Sequence, residues 1–484
     1  MKNKFSEIIK KKWLKDKFMT GVLVIVILTA YLGISYWVNN ATFNDIDLTD
    51  SKIYSLSTES ISKIKNIDKE ISITLVNFME NDYVADFAKK YSAKNKNIKV
   101  SVVDDKTSRV DLVQKYGLTG EQDLIIVESG ENETTFSSYD LYTYDYTTYE
   151  QIDRTEETFT NAILNVSTED KPKVYFMTGK NYYSFDYFGT LISAINAEAN
   201  ELHAIDLFTV DNVPEDCDTL IITTLGKDIT EKERDSLIRY VKNGGKILAL
   251  LDPSLITGVN TPNLNLVLAE YGVKMSDGVV YEQKANHMVV NSPEFIIADV
   301  LPGNSITQKI NSDMSVCAIY SGRVEFLEQS KLEEIGVSYE ELVTTSDSAF
   351  LRKDIFIQSF YKTGSDEDAG SSIIGALVNK KIDKEKESKL VVFSSALLAT
   401  DIPVNVGEYQ VLPIGYYNNK DMLLNSISYL NGKEDMITIR KKYDSVSYTI
   451  TEMQNWIIIA IIVLVPLFII VGGIIVSRVR RRKR

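Results

Sequence analysis

Hydrophobic and polar positions follow three different periods along this chain, and each period predicts its own kind of element. From Phe18 to Val38 the run FMTGVLVIVILTAYLGISYWV contains no Asp, Glu, Lys, Arg or His, and neither does Trp456 to Val476, WIIIAIIVLVPLFIIVGGIIV. Each run is 21 residues long. At ~1.5 Å rise per residue such a helix covers about 31 Å, enough to cross a hydrocarbon layer of ~30 Å. Buried helices of soluble proteins seldom continue this far without a charge, so both runs are read as transmembrane helices. Pro466 and the pair Gly472-Gly473 interrupt the second run. They are tolerated where neighbouring helices satisfy the backbone, which makes them candidate transmembrane docking positions.

Between the two runs the periods shorten. Ile71 to Phe78 and Ile98 to Val103 read as strands flanking a polar helical stretch, Tyr83 to Asn95, and Asp123 to Glu128 is a short β-branched run suited to a buried strand. A second series starts at Lys173: strand VYFM, a helix over Ser184 to Ala199, strands HAIDLF and DTLIITTLG, and a helix over Thr230 to Asn243. Thr230 and Glu233 fit a capping box, and Asn243-Gly244-Gly245 ends that helix before the strand KILALLDP. The series closes with KLVVFSS and a helix over Lys420 to Asn431. Strands alternating with helices predict α/β domains built on parallel sheets. The resulting division is a basic tail 1–17, a transmembrane helix 18–38, an N-terminal α/β domain 39–170 and a second α/β domain 171–432. An insertion or subdomain spans about 254–387, and a juxtamembrane segment 433–455, a second transmembrane helix 456–476 and a basic tail 477–484 follow.

Charge adds direction. The chain carries 53 Lys and Arg against 67 Asp and Glu. The tails outside the two apolar runs hold 13 of the basic and 2 of the acidic residues, which leaves the middle near −25. Basic flanks stay cytoplasmic, so both ends are expected inside and the acidic middle outside, in a two-span cell-membrane protein. A cleaved signal peptide is the competing reading of the first run, but the stretch exceeds the usual ~7–15 residues and no small-residue cleavage site follows it. An acidic outer region also speaks against nucleic acid, whose phosphates need clustered Lys and Arg.

Candidate chemistry is sparse. No G-x-x-x-x-G-K-[ST] loop occurs; Thr178-Gly179-Lys180 and Gly244-Gly245-Lys246 read as turns. Only His203 and His287 are available for a zinc site, without HExxH, and acidic pairs such as Asp104-Asp105 read as solvated faces, so neither metal nor cofactor is expected. No G-x-S-x-G elbow is present, and Cys217 and Cys317 allow at most one disulfide. In SSYDLYTYDYTTYE, tyrosines fall at 139, 142, 144, 146 and 149, partly in the period of a strand face. Tyr142, Tyr144 and Tyr146 are therefore candidate partner-binding residues, either as a sugar-stacking face or as an edge or inter-domain contact, the commoner use of such a face.

The stretch DLTDSKIYSLSTESISKIKNIDKEISITLVNF, Asp47 to Phe78, resembles the opening of the GldG-like, gliding-motility-associated auxiliary proteins of ABC transporters. The likeness continues through TEETFTNAILNVS, Val174 to Gly179, ITEKERDSLIRYVKNGGKILALLDP, TPNLNLVLAEYGVKMSDGVV and NNKDMLLNSISYLNG. The resemblance implies an ABC-transporter auxiliary protein whose outer region includes a domain similar in fold to class I glutamine amidotransferases. The nucleophile elbow of those enzymes would fall near Thr223-Thr224-Leu225-Gly226, which has no Cys, so the resemblance implies no such activity. Gly179-Lys180-Asn181-Tyr182 also departs from a glycine-histidine-glycine-glutamate tendency of relatives.

The leading expectation is a non-enzymatic accessory subunit of an ABC-type export or surface-assembly system, with permease and ATPase subunits and the lipid bilayer as partners. An independent cell-envelope binding protein for polysaccharide or peptide is the alternative, and a hydrolase with an unrecognised acidic site has no motif behind it.

Overall fold

The computed structural model describes residues 55–433 apart from 120–121, 145–150, 309, 311–314, 355, 358, 369 and 407–408, together with Ile25, Thr29, Leu32 and Gly33. Those four positions are helical, and the Thr29 hydroxyl donates to the Ile25 carbonyl at 2.8 Å. Among the described residues no helix is long and apolar enough to cross a membrane. The remainder of 18–38, all of 456–476 with Pro466, Gly472 and Gly473, and the two basic tails lie outside them.

The first unit begins with helix α1 (Thr58–Lys65) and strand β1 (Ile71–Val76), whose apolar residues are buried on both faces. Helix α2 (Tyr83–Lys94) starts at Asp82, whose carboxylate accepts from the Val84 N–H at 2.9 Å, and carries the chain over to β2 (Ile98–Val103), parallel to β1. After α3 (Val110–Tyr116), strands β3 (Leu124–Ser129) and β4 (Asn132–Phe136) complete a mixed sheet in the order β2-β1-β3-β4. A small hairpin, β5 (Tyr142–Tyr144) with β6 (Gln151–Asp153), leads into helix α4 (Thr155–Ser167). Phe87, Tyr91, Phe136 and Phe159 pack as one aromatic group in this core, with ring centroids 5.2–6.5 Å apart.

The second unit is laid on strands β7 (Lys173–Met177), β8 (Glu201–Ile205), β9 (Thr219–Thr223) and β10 (Lys246–Leu250), with helix α5 (Gly189–Ala197) between β7 and β8 and helix α6 (Glu231–Lys242) between β9 and β10. The capping box forms: Thr230 Oγ1 accepts from the Glu233 N–H, and Glu233 accepts from the Thr230 N–H at 2.6 Å. In β10, Leu248 and Leu250 enter the core on one face of the sheet while Ile247 and Ala249 enter the core on the other. That strand is apolar throughout because it is covered on both faces.

Downstream come helix α7 (Pro262–Ala269) and strands β11 (Val273–Met275), β12 (Val279–Tyr281), β13 (Met288–Val289), β14 (Ser292–Val300), β15 (Ser315–Ile319) and β16 (Val324–Phe326). Helix α8 (Gln329–Glu334), strands β17 (Val337–Thr344), β18 (Phe350–Arg352), β19 (Glu367–Asp368), β20 (Ile373–Lys381) and β21 (Glu387–Phe393), the hairpin β22 (Val404–Val406) with β23 (Tyr409–Val411), and helix α9 (Asn419–Leu430) follow. The ten-stranded sheet runs β13-β14-β17-β20-β21-β10-β9-β7-β8, with β15 also on β14.

Only β8, β7, β9, β10 and β21 are mutually parallel; the other five strands join antiparallel. The expectation of a parallel sheet therefore holds for half of it and is corrected to a mixed sheet. Its physical origin is the tight turn after β20, which returns the chain as a hairpin rather than through a covering helix. Residues of the stretch 254–387 thus extend the main sheet through β13, β14, β15, β17 and β20, while β11-β16 and β12-β18-β19 form small sheets beside it. Gly375 faces Phe393 across the β20–β21 pair, and a Cβ there would lie 2.6 Å from the Phe393 ring, so this position accepts only glycine without a shift.

Candidate functional site

An open α/β sheet binds ligands outside the carboxyl ends of its strands, at the point where successive crossovers leave in opposite directions. Here β8 lies on one side of β7 and β9 on the other, so the switch point falls between β7 and β9. The loops that meet there are Thr178 to Tyr182, which contains the departure from the tendency of relatives, and Thr223 to Gly226, where the nucleophile elbow was expected to be empty.

These loops pair with one another. Asn181 and Leu225 form an antiparallel bridge, the Tyr182 N–H donates to the Thr224 carbonyl at 2.8 Å and the Gly226 N–H to the Lys180 carbonyl at 2.8 Å. Asn181 Nδ2 donates to Met177 O at 3.0 Å and Thr223 Oγ1 at 2.8 Å, while its buried Oδ1 has no partner among the described residues. A Cβ on Gly226 would come within 3.3 Å of the Tyr182 Cα, so the close approach of the strands depends on that glycine. Gly179, at φ 91°, turns the β7 loop against Asp206, and Lys180 pairs with the buried Glu233 of the α6 capping box. Both lysine-glycine segments are turns, Gly244 taking φ 83° at the end of α6.

Beneath the bridge, Asp252 at the end of β10 ties three strands together. Its Oδ1 accepts from the Ala396 N–H at 2.7 Å, its Oδ2 accepts from Thr224 Oγ1 at 3.1 Å, and Tyr183 also hydrogen-bonds to it. Burial raises the Asp252 carboxyl above the ordinary carboxylate value despite these donors, and burial together with Asp252 raises the Tyr183 phenol. Because the folded-state value is raised, the folded state binds the proton more tightly, and this group's contribution to stability declines as pH rises from about 4. Asp252→Asn should therefore flatten the stability profile above pH 4, whereas Asp252→Ala, which strands the Ala396 donor, should cost about 1–3 kcal/mol. Thermal melts of both variants across pH check this, and a D252N profile parallel to the parent's refutes it.

Neither cysteine opens onto these loops. Cys217 is buried with Sγ 3.4 Å from the Tyr240 hydroxyl, and burial pushes its thiol up to about 12. Cys317, buried in β15, is raised by the same cause. Both are free thiols, and raised values make them poor nucleophiles. His203 packs on the Tyr175 ring at 5.1 Å and His287 Nδ1 lies 3.3 Å from the Ile297 carbonyl. Among the described residues no group of three His, Cys, Asp or Glu could hold a metal ion.

Of the candidate tyrosines, Tyr142 opens β5 half-buried against the first unit's core, Tyr144 closes β5, and Tyr146 lies outside the described residues. Asn181 belongs to a segment the sequence marks, whereas Asp252 and Tyr183 are not marked there; an Asp closing the apolar run ILALL is the signal for the first of these two.

Fold and site define a mixed open-sheet α/β protein whose two switch-point loops pair with each other through backbone hydrogen bonds. The family model described as ABC-type uncharacterized transport system matches residues 171–426, more than half of the chain, and the chain belongs to that family of auxiliary transport components. No curated protein matches. Among solved structures, the mmIFT52 N-terminal domain is 13% identical and covers 53% of this chain and 97% of its own, with a TM-score of 0.38. A Thermoplasma acidophilum protein assigned as a component of GMP synthase is 10% identical and covers 56% of this chain and 98% of its own, with a TM-score of 0.31.

Proposed function

We propose that this protein is a non-catalytic, membrane-anchored accessory subunit of an ABC-type export or surface-assembly system, of the GldG-like kind. In this reading both basic tails are cytoplasmic, the acidic middle is outside, and the second unit is an amidotransferase-like scaffold put to binding. The observation that carries the non-catalytic part is the Asn181–Leu225 bridge, which fills the switch point with backbone, above an Asp252 whose oxygens are already engaged. Family membership supports association with transporter components. The two uncharged 21-residue runs with basic flanks support anchoring, and two spans are too few for a permease acting alone. The absence of a phosphate loop assigns nucleotide hydrolysis to a partner.

Co-purification of the full chain in mild detergent tests the reading. The expected result is recovery with a multi-span permease and an ABC ATPase, weakened by bulky substitutions at Gly472 and Gly473. Recovery with neither, under conditions that preserve other membrane complexes, sinks it.

A further inference from the structure

The two units meet without sharing a core. Among the described residues each buried apolar cluster lies within one unit: Ile64, Phe87 and Phe159 belong to the first, and Phe176, Leu248 and Leu377 to the second. Helix α4 divides between them. Its Phe159, Ala162, Ile163 and Val166 enter the first unit's core, whereas Asn161, Leu164 and Asn165 turn to the second unit. Asn165 Nδ2 donates to the Asn196 carbonyl near the end of α5 at 2.6 Å, and its Oδ1 accepts from Lys171 at 2.5 Å. Asn161 and Leu164 line, with Glu198, Asn200 and Ser428, a cavity of about 10 Å³, close to the room one water needs. A junction of amides and hydroxyls exchanges its hydrogen bonds with solvent at small net cost, where an apolar one would have to expose its surface. Polar contacts of this kind between domains permit relative motion.

The connection is equally spare. Thr168 still belongs to the end of α4, its Oγ1 donating to the Leu164 carbonyl at 2.8 Å, and the Pro172 carbonyl is held by the Glu201 N–H at 2.8 Å. Between them lie Glu169 to Lys171, with Glu169 and Asp170 exposed. Glu169 reaches Lys69 at 2.7 Å, an exposed pair of little weight. Lys69, Thr168, Gly432 and Lys433 line an open cleft of about 590 Å³ beside this stretch.

We propose that the molecule is hinged: the first unit turns on Glu169 to Lys171 against the second, Asn165 parting from Asn196, and Lys433 is the point from which the angle is set. A few residues at the end of an element are enough to absorb such a turn. Lys433 lines both the cavity and the cleft, and the chain continues from it to the second apolar run. A displacement of that run relative to the outer region therefore acts between the units and not within either core. The hinge stands on the junction alone, while its control from Lys433 rests on the membrane anchoring proposed above.

Spin labels on Gln114→Cys in the first unit and Lys384→Cys in the second, both exposed, read the angle as a distance in the full chain in nanodiscs; the two native thiols are buried. The expected distribution has two populations. Asn165→Ala, which removes the crossing hydrogen bond, is expected to change their ratio several-fold with the circular dichroism spectrum unchanged. A flexible Gly/Ser insertion directly after Lys433, which slackens the attachment, is expected to move the ratio as well. One narrow population, identical in the parent and in Asn165→Ala, overturns the hinge. Two populations that ignore the insertion overturn the control from Lys433. A folded chain that does not enter nanodiscs overturns the anchoring and that control, and the distance distribution of the same chain in solution then decides the hinge by itself.

Discussion

Asp366→Asn is expected to lower the stability of the outer region by about 3–5 kcal/mol, because it leaves the Arg352 guanidinium buried without its counter-charge. Both side chains of the pair are fully shielded from solvent. The matched control is Lys353→Met, which breaks an exposed pair with Glu367 one residue further along the chain and should change stability by less than about 1 kcal/mol. Chemical denaturation of the two variants side by side measures the difference; equal midpoints would contradict the buried-staple reading. A pH dependence accompanies it. Burial raises the Asp366 carboxyl, but Arg352 and the Thr363 donors outweigh burial and hold it below the usual value. A depressed folded-state value means the pair's contribution is complete above about pH 4 and fades as pH falls below it, a loss that D366N should not show.

Asn419→Ala should cost about 3 kcal/mol. Asn419 is fully buried at the start of α9, where its Oδ1 accepts from the Cys317 N–H at 2.9 Å and its Nδ2 donates to the carbonyls of Cys317 at 3.0 Å and Pro413 at 2.8 Å. The side chain thus completes the hydrogen bonding of β15 as a neighbouring strand would, and truncation leaves several buried backbone groups unpaired. Its neighbour Asn418 is half-buried and its side chain donates to Ser315 O at 2.9 Å, so Asn418→Ala should cost only about 1 kcal/mol. Thermal melts that rank the two variants equally would show that α9 is held by its apolar face alone.

What could be read from the sequence was whatever is decided locally. Ile98–Val103 forms β2 with the expected bounds, and the Thr230–Glu233 capping box sets the start of α6 because donor and acceptor sit within one turn. The α/β character follows from such segments. The antiparallel half of the sheet does not, because the partners of β14, β17 and β20 are chosen by long-range pairing, such as Asp299 with Thr344. The site divides in the same way. The chemical departures in Gly179 to Tyr182 and Thr223 to Gly226 were visible separately, but nothing local shows that the two loops pair. Asp252 ends an apolar strand in plain view, yet its Ala396 donor lies 144 residues away. Of the tyrosine run, Tyr142 and Tyr144 fall two apart in β5, the spacing of one strand face, and Tyr146 lies outside the described residues.

The second unit is entered and left at one pole. Lys173 begins β7 with its N–H on the Asp218 carboxylate at 2.9 Å, and Asn431, at the end of α9, is bonded to Thr219 at 2.7 Å and to Asn200 at 2.9 Å. A pull applied through both attachments therefore runs between neighbouring strand starts beneath the sheet and never crosses its core. Mechanically the load path stays at that pole, and the opposite pole, where the Asn181–Leu225 bridge lies, is left out of it.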